Sequence, residues 1–344
     1  MVVKTLRPAR LRLPWLAAGI GAVLVALIAG VALGPVTLPP GSVAAELLNL
    51  IPGVDLPSGL NEREIAIITE LRLPRVVLGL LVGAMLSLAG GCYQGVFRNP
   101  LADPYLLGVA AGAGLGATLS IALRESAWLA PAAFAGAGLA VLATYLLGVA
   151  GGRDRSSATL ILAGVAVSAF LAAIQTYLLQ RNVDTIREVY SWLLGRLATN
   201  GWHEVTLLLP YAVVTTVVVL ALRRELDVLS VGDTEAASLG LHPQRSRLIL
   251  LGAASLGTAA AVAVSGLIGF VGIIVPHVVR LLAGGSYRSI LPLSLLFGAA
   301  FLALADLAAR TLIAPGELPI GVVTAFFGAP FFVLVLRTTR RVSV

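Results

Sequence analysis

Three histidines and one cysteine are the residues here best suited to bind a transition metal or attack a substrate. His203, His242 and His277 are far apart, and the single cysteine, Cys92, lies inside an apolar run. That pattern supports neither a Cys/His metal site nor an internal disulfide. No G-x-x-x-x-G-K-[ST] phosphate-binding loop occurs anywhere, so the chain has no means of its own to hydrolyse ATP. Catalytic, cofactor-binding and metal-ligating residues are therefore all expected to be absent. Two charge patterns remain. Asp306 and Arg310 are four residues apart in an apolar stretch, so they can pair on one helix face, which lowers the cost of placing them near a membrane. Arg72 and Arg75 open another apolar stretch. His277 follows Pro276 with no acid, Cys or second His nearby, which favours a packing or interface role over catalysis.

The elements that must position these residues are membrane spans. Of the 344 residues, 58% are hydrophobic and only 12% are charged, where soluble domains run near 25% charged. A helix needs about 20 apolar residues to cross the hydrocarbon. Ten runs qualify: 13–33, 72–95, 105–123, 127–150, 157–179, 203–222, 246–265, 267–283, 290–313 and 318–336. None alternates as barrel strands do, so an all-α membrane bundle in one domain, 1–344, is expected. The net charge of +7 is read as topology rather than nucleic-acid binding, because basic residues cluster at span ends. With the N-terminal Lys4, Arg7, Arg10 and Arg12 placed in the cytoplasm before a retained first span, most of the 24 basic residues fall inside, including Arg98, Arg153, Arg155, Arg337, Arg340 and Arg341. Both termini are then cytoplasmic.

Glycines supply the packing pattern. Gly79 and Gly83 in one run, then Gly108 and Gly112 in the next, lie four apart, a spacing that brings helix backbones close in lipid. Gly266, Gly269 and Gly272, three apart, also permit close packing further on, before Pro276, which breaks or kinks its helix. These residues are assigned to helix packing or the pathway. Ser168, Gln175, Thr176 and Tyr177 in the fifth span face protein or water, either as interhelical hydrogen bonds or as pore lining.

Three blocks carry a family resemblance: RLPR with LVGAMLSLAGG, FRNPLADP and LLGVAAGAG over 72–114; SGLIGFVGIIVPHVVRLLAG over 265–284; and ALADLAARTLIAPGELPIGVVTAFFGAPFF over 303–332. They resemble the FecCD-type permeases, the membrane subunits of ATP-binding-cassette (ABC) importers for iron–siderophores, haem and vitamin B12. The resemblance implies a type II importer permease of about ten spans in a bacterial cytoplasmic (inner) membrane. It implies four partners besides the lipid bilayer: a second permease copy, forming a homodimer, two ATPase subunits that bind ATP and Mg, and a soluble substrate-binding protein. It assigns Arg72, Arg75 and Arg310 to docking of the binding protein at the outer face. The segment 222–247 resembles the family's coupling loop on the ATPase, assigning Gly232, Ala236, Ala237, Leu239 and Gly240 to coupling. SWLLGRLATNGW, 191–202, resembles the family's external segment near the pathway mouth, where Tyr190, Trp192 and Trp202 suit an interfacial belt.

Local signals add three expectations. Ser42 caps a short helix, 43–50, lying on the outer membrane surface, with a solvated loop as the alternative. Asp233 or Thr234 caps a short helix ending at Gly240. Pro100 and Pro276 each follow a Gly-packed run, a faint sign of an internal repeat. The function expected is import of a large ligand, iron–siderophore by breadth of the family, with haem or vitamin B12 as alternatives. An ion-coupled secondary transporter has less support, since Asp306 is the one acid clearly within a run and Arg310 can neutralise it. An intramembrane enzyme would need a nucleophile–base pair at depth, and none is visible.

Overall fold

The computed structural model describes residues 11–34, 36–150 and 157–340. The basic residues Lys4, Arg7, Arg10, Arg153, Arg155 and Arg341 lie outside that range. Every described element is helical: α1 (Leu13–Ala32), α2 (Pro40–Asn49), α3 (Glu62–Ala66), α4 (Leu73–Val96), α5 (Val109–Ala122), α6 (Leu129–Ala150), α7 (Ser157–Arg181), α8 (Ile186–Leu193), α9 (His203–Ala221), α10 (Arg223–Leu229), α11 (Asp233–Ser238), α12 (Pro243–Ser265), α13 (Val271–Ala283), α14 (Tyr287–Thr311) and α15 (Ile320–Arg340). A π-helical stretch, Ile67–Arg72, joins α3 to α4. A helix lies over each of the ten expected runs. Seven are long and apolar enough to cross a membrane, and three shorter apolar helices, Val109–Ala122, Val271–Ala283 and Ile320–Val333, accompany them.

Helix α4 is the axis of the molecule. Its most apolar window is 83% buried, against 11% for α7. It packs on α14, α12, α13 and α9, while α5, α6 and α7 form a second packed group and α1 lies along α14. Glycine makes the closest crossings possible. A Cβ on Gly83 would sit 2.2 Å from the Gly298 carbonyl oxygen, and one on Gly90 only 1.9 Å from that of Gly272. In the second group a Cβ on Gly112 would meet the Gly136 oxygen at 2.2 Å. These are backbone-on-backbone contacts of the kind that hold helices together in lipid.

The capping expectations need correction. Helix α2 starts at Pro40, preceded by Pro39, with no side-chain cap. Proline suits the first helical turn because its missing N–H is one of the orphans there, so Ser42 sits inside the helix rather than before it. Gly232, not Asp233 or Thr234, precedes α11. At the other end Gly240 has φ +82° and the Leu241 N–H reaches the Ala236 carbonyl, the glycine-terminated stop expected there.

Pro276 lies inside α13 without ending it. Proline cannot donate to the carbonyl four residues back, Gly272. Gln94 of α4 takes over: its Nε2 donates to the Gly272 and Ile273 oxygens at 3.2 and 3.4 Å. Arg280, one turn beyond the proline, donates to Gln94 Oε1 at 3.3 Å. The helix survives its proline because a neighbouring helix satisfies the freed carbonyl.

Candidate functional site

Two charged clusters mark opposite ends of α4, whose 24 residues span about 36 Å. At its start stand Arg72 and Arg75. Arg72 is 7% exposed and its guanidinium donates to the carbonyls of Val31 and Ala32 at 2.8 and 3.2 Å, and to that of Val36. Arg310, 6% exposed, donates to the Gly30 carbonyl at 3.0 Å. The Ala29 carbonyl accepts from the Leu33 N–H. The last four carbonyls of α1, which have no partners within their own helix, are thus all satisfied. Two cations sit at the negative end of its dipole. Gly34 makes room: a Cβ there would be 3.0 Å from an Arg72 nitrogen.

Two of the three residues expected to dock the binding protein are thus engaged within the chain. Arg72 and Arg310 are buried and committed to α1, so neither offers a free guanidinium to a partner. Arg75 is different. Its side chain is 20% exposed and bridges two carboxylates. One edge meets Asp306, 2.9 Å from Nη2 and 3.2 Å from Nε. Its other edge meets Glu317 through Nη1 at 3.0 Å and Nη2 at 2.9 Å. Asp306, only 2% exposed, also pairs with Arg310 at 3.0 Å, the i,i+4 contact its spacing predicts. Glu317 is 53% exposed, and its hydrogen bonds to Arg75 hold its carboxyl below the usual range. Three cations and two anions leave this cluster with one net positive charge.

At the far end, the turn after α4 places Arg98 2.5 Å from Asp233 at the start of α11. Arg247 of α12 holds the same carboxylate through two bonds, 2.5 and 2.7 Å. The short helix is therefore pinned to α4 and α12 at once. Gly232 has φ +145°, a backbone conformation that favours glycine. Of the residues expected to couple, Gly232 and Ala236 are buried against the permease itself, while Ala237, Leu239 and Gly240 are exposed. Leu239 is 71% exposed, as is Val231 at 65%, which puts two large apolar side chains on an otherwise polar face. Beside this cluster, Asp227 of α10 accepts from the Tyr287 N–H and Ser286 hydroxyl at 2.6 and 2.8 Å, capping α14. Spacing gave no hint of that contact.

Between the ends, α12 and α13 are joined by a non-helical segment, 266–270. Gly266 packs with its Cβ position 2.2 Å from the Trp192 carbonyl, while Gly272 lies against Leu86 and Pro104. Phe270 has φ +68°, a strained conformation for an aromatic residue, with its ring filling the space left by Gly328. Tyr105 latches the segment: its hydroxyl donates to the Ile268 carbonyl at 3.0 Å and accepts from the Ile268 N–H at 3.2 Å. Gly269 departs from the packing expectation, since nothing lies within 4 Å of its Cβ position. Gly108 starts α5 at φ +83° with only ordinary contacts, and Gly79 approaches Leu197 and Ala303. Gln175 of α7 donates to Thr118 at 3.0 Å, an interhelical bond, whereas Tyr177 is exposed. Trp192 is buried at 4% exposure, not interfacial; Tyr190 and Trp202 are exposed. His277 packs edge-on to Phe331 at 5.8 Å.

Comparison with known proteins agrees with this arrangement. Residues 22–338 match the FecCD transport family. The cobalamin import system permease protein BtuC of Halobacterium salinarum is 45% identical over 281 residues, 81% of this chain and 75% of that one. The Fe(3+) dicitrate transport system permease protein FecC of Escherichia coli is 38% identical over 284 residues, 79% and 83% of the two chains. A solved structure of a metal-chelate type ABC transporter in an inward-facing conformation superposes with a TM-score of 0.83 at 28% identity, covering 94% of this chain and 98% of that one. The chain belongs to the FecCD transport family: it is an all-helical, multi-pass ABC permease, a transport subunit and not an enzyme.

Proposed function

We propose that this permease imports a large iron chelate across a bacterial cytoplasmic membrane, through a path between two copies of itself. Ten spans cross the bilayer, both termini are cytoplasmic, and the Arg98–Asp233 end faces the cytoplasm. The observation that carries the reading is α11: a short helix pinned by Asp233 to two spans and flanked by the exposed Val231 and Leu239. A rigid element can pass on the movement of a partner as a body, and exposed apolar side chains fit the core of an interface. Two separate ATPase subunits, which bind ATP and Mg, dock there. A soluble binding protein delivers substrate at the Arg75 end.

Iron chelate is the first substrate reading because several relatives are named for iron chelatin, Fe(3+)-citrate or iron(3+)-hydroxamate. Cobalamin is the second, favoured by the 45% identity to a cobalamin permease. Uptake assays in vesicles holding the complete complex distinguish them, with a ferric hydroxamate and cyanocobalamin as competing probes. Leu239→Glu is expected to cut co-purification of the ATPase and uptake at least tenfold while the permease stays folded. Normal co-purification and uptake in this variant would overturn the docking assignment.

A further inference from the structure

The Arg75 site has a feature that the docking reading does not require. Its outward edge is already occupied. The planar guanidinium offers two parallel donor pairs. Asp306, almost wholly buried and shared with Arg310, takes the inner one. Glu317, exposed, takes the outer one with two bonds of 2.9 and 3.0 Å, the fork-to-fork geometry that makes Arg–carboxylate recognition specific.

We propose that Glu317 is an internal competitor for the docking site, standing where a carboxylate of the external binding protein must sit, so that docking proceeds by exchange of one carboxylate for another. The proposal rests on the reading of Arg75 as the docking residue. The two anions differ in how easily they leave. Removing Asp306 would strand Arg75 and Arg310 in a dry setting, which is strongly unfavourable. Glu317 is 53% exposed, so its carboxylate regains water on leaving, which the buried Asp306 cannot do. It also sits on a connecting segment, between α14 and α15, beside the exposed Leu312 and Ile313. An incoming acidic side chain that shields Arg75 from water gains a stronger pair than the one it breaks. The neighbouring Leu318 N–H, bonded to the Ala309 carbonyl at 3.0 Å, holds the segment's far end in place while Glu317 swings away. The cluster's net charge of plus one becomes plus two when Glu317 leaves, which the partner's carboxylate brings back to plus one. The partner chemistry is thus specified: a single Asp or Glu aimed at Arg75, with no basic residue beside it.

The test uses the assembled transporter in lipid nanodiscs and its soluble binding protein, at low and at high salt. Glu317→Gln keeps the shape and removes the competing charge. It is expected to tighten binding about tenfold at low salt, with faster association, and to lose most of that gain at high salt. Arg75→Ala is expected to weaken binding, and Glu317→Gln added to it to give no further change. Arg75→Lys, which keeps the charge and loses the fork, serves if the alanine variant does not assemble; it should retain part of the binding and shrink the Glu317→Gln gain. If Arg75 variants weaken binding but Glu317→Gln leaves it unchanged or weaker, the exchange is wrong and the docking reading stands. If neither arginine variant changes binding, the docking reading itself falls.

Discussion

Arg72 shows how far a charged residue's task can lie from its address in the sequence. It opens the RLPR word at the end of a span, where an external cation is the natural reading. Its three carbonyl partners are 36 to 41 residues away, on and just beyond α1, and a carbonyl leaves no mark in a side-chain pattern. The Asp306–Arg310 pair was legible because four-residue spacing fixes it. The Arg75–Glu317 pair, 242 residues apart, was not. Arg72→Ala should destabilise the purified permease by about 2–3 kcal/mol, because it orphans α1's end; Arg72→Lys should recover little, since an ammonium cannot serve three carbonyls in one plane. Thermal unfolding in detergent measures both. Asp103 makes a pH prediction. It lies in the turn between α4 and α5, where burial pushes its carboxyl up to about 6, against the opposing hydrogen bond from the Tyr105 N–H. A carboxyl raised on folding costs stability when ionised, so its cost is present above pH 6 and fades as pH falls toward the unfolded value near 4. Asp103→Asn, which keeps the acceptor for Tyr105, should therefore raise the melting temperature at pH 8 and change it little at pH 4.

At the scale of elements, the glycine spacing marked the helix faces but not their partners. Gly83 and Gly112 do sit at backbone crossings, against Gly298 and Gly136. Gly90, which carried no expectation, makes the tightest of them, against Gly272. Gly269 shows the converse, a glycine in a matching word with open space around it. Spacing identifies a small-residue stripe; only the fold says what lies across it. Proline carried the same ambiguity. Pro276 signals a break, yet Gln94 mends it from another helix. Gln94→Leu should cost about 1–3 kcal/mol by leaving the Gly272 carbonyl without a donor. Gly90→Ala should be worse, because α13 would have to move away from α4. Lower yield of folded permease and a lower melting temperature, in that order of severity, are the expected readings; a neutral Gly90→Ala would mean that the crossing is looser than drawn.

For the whole molecule, labelling can check the proposed orientation of the two charged ends. Cys92 is fully buried and held near the Leu250 carbonyl, so it should give no background with a membrane-impermeant thiol reagent. A cysteine at Asp55 should react in intact cells, and one at Glu235 only after permeabilisation; the opposite pattern would invert the topology. The fold class was legible from the outset, because a chain this apolar and this poor in charge has few alternatives to a helical bundle. The arrangement was not, because nothing in the order of the runs shows that α4 packs against α9, α12, α13 and α14 rather than chiefly its immediate successors.

That central placement has a consequence for how the protein is made. α14 ends 215 residues after α4 does (311 minus 96), and synthesis at about 5–20 residues per second separates their emergence by roughly 10–40 s. Within that interval the most enclosed helix of the finished permease gains its neighbours in steps, α9 first, then α12 and α13, and α14 last. Until they arrive it has lipid on sides that will later touch only protein. Its segment has a mean hydropathy of 2.0 over the best window, high enough for that wait. Ser87 and Gln94, buried in the finished permease, are polar groups that the span carries through that wait.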